Sequence, residues 1–353
     1  MKHKTIVRWF CLSLLSLSVS VQANAEQTQL QHEQATVTTS EGLKLAAYVT
    51  RPASTNSSLP ALFLTQWVSC GTIAPNPDRL SMEERVALKA GYALIRVDRS
   101  GSGNSEGPGC DKLDYDTEVR HYREAFDQLS QHPWINPEKI VVMGSSLGST
   151  TAPLVADGKP VAGIIVQGAG ALTYYERMLH FDRIQLERQK NFRPEQIHHQ
   201  MKKRMEFQQY YLHGMKTPEQ VTAEHPHLAG VWESLAGTDA APHYGRPYAW
   251  HWQAAKQNWL AAWAKIEAPI MVVYGGYEQF ESRHGHRIIV DTVNRLRPGT
   301  ATWLEIPQAG HGLRVYPSKV DAFARENGER KPELFVNPVS DWLRKVEQDT
   351  AQE

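Results

Sequence analysis

Residues 144–148 read Gly-Ser-Ser-Leu-Gly, and the serine at the centre of this G-x-S-x-G pattern, Ser146, is the first candidate for chemistry. The small residues around it permit a turn tight enough to lift one hydroxyl above the end of a strand. The same turn opens a helix, Ser149-Thr150-Thr151-Ala152, whose N-terminal dipoles favour a developing oxyanion. Ser146 is in register for that position and Ser145 is not. A serine hydroxyl is a weak nucleophile, so it needs a neutral imidazole to take its proton and a carboxylate to orient the imidazole. The chain holds 15 histidines, and position must choose among them. Only His311 lies in a Gly-rich turn after the last expected strand, in Gln308-Ala309-Gly310-His311-Gly312. The carboxylate is expected in the loop after the preceding strand, Tyr274-Gly275-Gly276-Tyr277-Glu278-Gln279-Phe280-Glu281. Glu278 is the first choice and Glu281 the alternative.

These side chains need rigid elements to hold them. Thr36–Thr39 and Leu43–Val49 are β-rich runs around Ser40-Glu41-Gly42, which predicts a hairpin. Ala61–Thr65, Tyr92–Val97, Ile140–Met143 and Val161–Val166 are short apolar runs of the kind that form strands buried on both faces. Helical stretches near 79–90 and 114–131 alternate with them, which predicts a parallel sheet covered on both sides. After Gly170 the alternation stops. Residues 174 to about 209 are polar and helical in spacing, and Trp232, Trp250, Trp252, Trp259 and Trp263 follow. The strand signal returns at Pro269–Tyr274, then a helix over 282–296, a strand over 301–306 and a closing helix that includes Trp342. The interruption over 170–266 predicts an insertion, and length requires one as well. Setting aside a 25-residue leader leaves 328 of 353 residues, large for one uninterrupted domain.

The chain order serine, acid, histidine in these contexts resembles the α/β-hydrolase superfamily over nearly all of residues 35–345. Val97-Asp98-Arg99-Ser100-Gly101-Ser102-Gly103-Asn104-Ser105-Glu106-Gly107 looks like the loop after the fourth strand in its prolyl-oligopeptidase-like and esterase branches. The resemblance implies the α/β-hydrolase fold: a mostly parallel central sheet with helices on both faces, formed by residues 26–169 and 267–353, and a helical cap over 170–266. It also implies the backbone N–H groups of Leu147 and Val68 as oxyanion donors, with Trp67 as the alternative to Val68. Two departures stand out. The acid is Glu where Asp is commoner, and Thr65-Gln66-Trp67-Val68 stands where many relatives carry His-Gly-x.

Met1 to Arg8 is positively charged, Trp9 to Val21 is apolar apart from serines, and Ala23-Asn24-Ala25 has the small-x-small pattern of a cleavage site. Residues 1–25 are therefore expected to be a signal peptide, and the protein to be exported, periplasmic or secreted. Cys11 leaves with the leader. Cys70 and Cys110 remain in an oxidising compartment, each just past the end of one of two strands that neighbour one another in the hydrolase sheet order, and they are expected to form a disulfide.

With 41% hydrophobic and 22% charged residues, and Lys+Arg equal to Asp+Glu at 38 each, neither a disordered chain nor a nucleic-acid binder is indicated. The leader holds three basic residues and no acidic one, so the remainder carries −3, too little for a polyanionic partner. No later apolar run is long enough to cross a bilayer. His198-His199, His225-Pro226-His227 and His284-Gly285-His286 lack HExxH or Cys-rich spacing, and Gly101-Ser102-Gly103 is too short for a dinucleotide fingerprint. No metal or organic cofactor is implied. Tyr174, Tyr175, Trp250 and Trp252 are candidates to line an apolar substrate pocket, or else simply form the core of the cap.

The sequence thus predicts an exported serine hydrolase acting on a small ester through Ser146, His311 and Glu278. A peptidase or amidase acting on a short peptide is the second reading, and a catalytically silent binding protein of the same fold is the third.

Overall fold

The computed structural model describes residues 29–188, 192–235 and 243–350. The expected leader, residues 1–25, lies outside them. Strands β1 (Leu30–Thr38) and β2 (Lys44–Pro52) form the expected antiparallel hairpin, with Thr38 opposite Lys44. Then strand and helix alternate: β3 (Leu59–Thr65), α1 (Met82–Ala90), β4 (Ala93–Val97), α2 (Tyr115–Leu129), β5 (Ile135–Ser145), α3 (Gly148–Ala156) and β6 (Gly163–Gln167). Helix α1 shows how local sequence sets the boundaries. Ser81 accepts from the Glu84 N–H while the Glu84 carboxylate accepts from the Ser81 N–H, and Gly91 closes the helix at φ 77°.

After β6, in the segment expected to form the cap, come α4 (Tyr174–Arg188), α5 (Pro194–Gln208), α6 (Pro218–Glu224), α7 (Tyr248–Lys256) and α8 (Trp259–Lys265). The sheet resumes with β7 (Ile270–Gly275), α9 (Arg283–Leu296) and β8 (Ala301–Ile306). A two-stranded ribbon, β9 (Arg314–Val315) with β10 (Glu329–Arg330), encloses α10 (Lys319–Ala324), and α11 (Glu333–Thr350) closes the described chain. The eight sheet strands lie in the order β1-β2-β4-β3-β5-β6-β7-β8, antiparallel through β2–β4 and parallel from β4 to β8. This is the α/β-hydrolase fold.

The central strands are apolar at nearly every position because each face meets helices. Ala61, Phe63, Ile140, Val142, Ile164, Val166, Ile270 and Val272 point to one side, where α2, α3 and α9 pack. Their neighbours Leu62, Leu64, Val141, Met143, Ile165, Met271 and Val273 point to the other, against Val86 of α1 and Phe335, Val339 and Leu343 of α11. The cap has its own apolar cluster, including Tyr174, Phe207, Tyr211, Trp250 and Trp259, which continues onto Tyr115 and Leu147 of the sheet layer. Helix α8 straddles the two: Trp259 belongs to the cap cluster, whereas Trp263 and Ile266 are buried in the core over the sheet. Among the described residues no helix is long and apolar enough to cross a membrane.

Candidate active site

Strand β5 delivers Ser146 into a turn with φ 50°, a left-handed conformation costly for a non-glycine residue. The surroundings over-determine it. The Ser146 N–H donates to the Gln167 carbonyl at 2.7 Å, and the Ser149 hydroxyl donates to the carbonyls of Gln167 (2.9 Å) and Gly144 (3.1 Å). A Cβ on Gly148 would come within 1.9 Å of the Thr65 carbonyl oxygen, so only glycine lets α3 start this close to β3. A Cβ on Gly144 would likewise lie 2.7 Å from the Gly148 carbonyl oxygen, so packing explains both glycines of the motif, independently of chemistry.

Ser146 Oγ lies 2.9 Å from Nε2 of His311, which stands in the turn after β8. The other ring nitrogen, Nδ1, is 3.0 and 3.1 Å from the two carboxylate oxygens of Glu278, which follows β7. Glu281 goes elsewhere: its Oε1 accepts from Nε of Arg177 at 2.7 Å. Burial alone would push the Glu278 carboxyl up, but His311 and the Phe280 N–H, 2.9 Å from Oε1, outweigh it and hold the carboxyl below its ordinary range. For His311, burial pulls the pKa down, and the Glu278 carboxylate reverses this to a net rise. Two glutamines, marked in the sequence only weakly by their positions, hold the His311 backbone. The His311 N–H donates to Gln279 Oε1 and Gln167 Nε2 donates to the His311 carbonyl, both at 2.7 Å. Gly168 (φ 86°) leaves room for the ring, since a Cβ there would lie 3.0 Å from His311 Cε1.

Leu147 directly follows Ser146 at the start of α3, and Trp67 and Val68 border the serine from the loop after β3. That loop is held from below by one guanidinium. Arg99 donates to the carbonyls of Ser69 (2.6 Å), Trp67 (2.8 Å) and Gln66 (3.1 Å), leaving Nε to bond Glu118 Oε1 at 2.6 Å. The other oxygen of Glu118 accepts from Arg246 (2.9 Å) and from the Trp250 indole (3.0 Å), both from the cap side. Burial would raise the Glu118 pKa, but the two arginines bring it below the usual carboxylate range. Cys70 and Cys110 are bridged, with Cα atoms 5.9 Å apart, tying this loop to the one after β4.

Two cavities meet at Ser146. One, about 340 Å³, is bordered by Trp67, Met82, Met143, Leu313 and Phe335. The other, about 1040 Å³, lies under the cap. Of the four aromatics expected to line a pocket, Tyr174 and Trp250 do so. Tyr175 and Trp252 do not border it and pack against the cap's apolar cluster, the other of the two places offered for them. On α4 the cavity face runs through Tyr174, Arg177, Met178, Phe181 and Arg188, and Tyr175, about 100° around the helix, bonds the Met205 carbonyl instead. On α7, Trp252 is about 200° from Trp250 and packs on Tyr248. Aromatic content marked the cap but could not select a helix face. The His225/His227 pair has structural partners: His225 stacks on Tyr210 with ring centroids 3.9 Å apart, and His227 bonds Glu206 at 3.0 Å.

A model of the X-Pro dipeptidyl-peptidase (S15) family matches residues 41–312, a span that includes Ser146, Glu278 and His311. No curated protein matches the sequence. Among solved structures the chain is similar to an esterase of Pyrococcus furiosus, at 14% identity and TM-score 0.50 over 91% of this chain and 93% of that one. It is also similar to the α/β hydrolase GrgF of a Penicillium species, at 17% identity and TM-score 0.52 over 90% of this chain and 99% of that one. At these identities the likeness is one of fold.

Proposed function

The chain belongs to the X-Pro dipeptidyl-peptidase (S15) family and is a serine hydrolase, and from that premise we propose that it cleaves carboxyl esters with Ser146, His311 and Glu278 as a catalytic triad. The observation that carries the assignment is the unbroken Ser146–His311–Glu278 chain of contacts opening onto two cavities. Ser146 Oγ attacks the carbonyl carbon as Nε2 of His311 takes its proton. Glu278 steadies the imidazolium that results. The oxyanion lies between the Leu147 N–H and the N–H of Val68, with that of Trp67 as the alternative donor. Collapse of the tetrahedral intermediate returns the proton from His311 to the leaving group, and water then releases the acyl group by the same steps in reverse roles.

The apolar walls of the cap cavity favour an ester with an apolar portion, and segment 170–266 serves as the lid over it. Peptide cleavage is the second reading, favoured by the family match. The charged and apolar leader with its small-residue site, together with the Cys70–Cys110 bridge, supports export.

Labelling with a fluorophosphonate followed by peptide mapping, and turnover of p-nitrophenyl esters beside X-Pro anilides, test the reading. Label on Ser146 and ester turnover that Ser146→Ala abolishes are expected. Label elsewhere, or activity intact in Ser146→Ala, would overturn the triad. Anilide turnover exceeding ester turnover would move the function to peptidase.

A further inference from the structure

The cap cavity contains positive charge that the hydrolytic mechanism does not use. Arg177, Arg188 and Arg325 all border it, together with Ser146 and His311. Arg177 is neutralised by Glu281. Arg188 and Arg325 have no carboxylate partner among the described residues. Arg188 gives one Nη2 bond to the Gln279 carbonyl, and its Nε is buried without a partner among the described residues. Both guanidiniums lie against one ring: the Arg188 Cζ is 5.4 Å and the Arg325 Cζ 5.0 Å from the centroid of Phe280. Phe280 in turn meets His311 edge-on, with centroids 5.2 Å apart. One phenyl ring therefore separates the proposed catalytic base from a pair of like charges.

We propose that the part of the substrate lodged under the cap ends in a carboxylate, held by Arg188 and Arg325 across the Phe280 ring from His311; this rests on the reading of Ser146 as the nucleophile. Two guanidiniums brought together at a cavity wall repel one another unless an anion lies between them, and a planar fork matches a carboxylate. Burial and the nearby Arg325 both depress the Arg188 pKa, and among the described residues Glu278 is the charge that opposes them. The carboxylates Glu219 and Glu233, which also border the cavity, come from the cap segments around 218–224 and 232–234 and do not act on Arg188. Met178, Phe181, Ile184 and Leu235 give the same cavity apolar wall, beside the polar Gln185 and Gln279. Such a wall suits methylenes ending in a singly charged group better than a phosphate dianion, which costs more to desolvate.

The test compares matched esters that differ only in a terminal carboxylate. One pair places it on the acyl side, p-nitrophenyl hydrogen suberate against p-nitrophenyl octanoate. The other places it on the leaving group, the acetyl ester of 8-hydroxyoctanoate against octyl acetate. In one pair the anionic member should be favoured about tenfold or more in kcat/KM, with the ratio falling toward one in Arg188→Gln, in Arg325→Gln and at raised salt. Arg325 is exposed, so Arg325→Gln keeps the test decisive if Arg188→Gln fails to fold. Turnover of the neutral esters with no anionic preference in either pair, or a preference intact in both variants, overturns the proposal while leaving the hydrolase standing. If no ester is turned over and Ser146 takes no fluorophosphonate, the hydrolase reading itself has failed. Calorimetric titration with suberate then decides the anion site: binding that Arg325→Gln abolishes supports it, and no binding overturns it.

Discussion

Glu118→Gln removes one negative charge and almost no volume from the network beneath the loop that carries Trp67 and Val68. In the folded protein the side chains of Glu118, Arg99 and Arg246 are 3%, 1% and 0% exposed, so the loss leaves two guanidiniums out of water without the carboxylate that bonds both, Asp98 acting on Arg99 only as a weaker charge. The amide also presents N–H toward a donor where a carboxylate oxygen accepted. Breaking a buried pair by removing one partner costs about 3–5 kcal/mol. At roughly 2 °C per kcal/mol for a chain this large, Tm should fall by about 6–10 °C. The pH dependence gives a second reading. The Glu118 carboxyl is held below its ordinary range, so its contribution is fully present above the unfolded pKa of about 4.3 and is lost only as pH falls through the lower folded value. The Tm difference between the wild type and Glu118→Gln should therefore be constant from about pH 5.5 to 8 and narrow only in strong acid. Turnover should fall as well, by about 10- to 100-fold in kcat, less than the cost of deleting an oxyanion donor outright, because the Arg99 fork would be loosened rather than lost. Scanning calorimetry and steady-state kinetics on a neutral ester measure both. A Tm within 2 °C of the wild type, or a difference that opens between pH 5.5 and 8, refutes the role assigned to the carboxylate.

Ser146→Ala and His311→Ala should each lower kcat by about 10⁴- to 10⁶-fold without loss of fold. Ser146→Gly, which relieves φ 50°, should also raise stability by about 1 kcal/mol in denaturant titration, and Ser146→Ala should not. Because Glu278 raises the His311 pKa, the acid limb of kcat/KM should lie above the usual histidine value of about 6.5. Glu278→Gln should move that limb to lower pH while reducing kcat on the order of 10³- to 10⁴-fold, and an unmoved limb would argue against the pairing. The Cys70–Cys110 bridge spans 40 residues, for which loop-closure entropy gives about 4 kcal/mol; reduction should lower Tm and turnover, and alkylation without reductant should leave both cysteines unmodified by mass spectrometry.

Much of the architecture was legible because it repeats locally. Apolar runs bounded by turns fixed β3 to β8 to within a few residues, and the motif around Ser146 carried its own strand and helix. Chain order then pointed to His311 and Glu278. The supporting contacts had no such local trace. Glu118 meets Arg246 and Trp250 at separations of 128 and 132 residues, and only the folded cap brings them together. Gln167 had a weak signal in standing at the end of β6, and Gln279 in following Glu278, but a glutamine in a loop is ordinary. Tyr175 and Trp252 show the converse, where residue type left pocket and cap core both open and helical phase was needed to choose.

The cap interrupts the chain between β6 and β7, so the nucleophile elbow is written before it and both of its partners after it. The Ser146–His311 contact spans 165 residues, and β6 cannot pair with β7 until the ends of the cap have met. An unstructured connection of this length would cost about 4 kcal/mol in closure entropy, so a cap that forms its own apolar cluster of Tyr174, Phe207, Tyr211 and Trp250 first makes the pairing far easier. Order of assembly follows from this arrangement. A chain emerging from its N-terminus can build β3, β4, β5 and the turn at Ser146 while the serine still has no base beside it. Under the proposed triad, hydrolysis begins only once β8 has docked, so activity would report completion of the fold rather than its onset, and a partly made molecule would leave surrounding substrates intact.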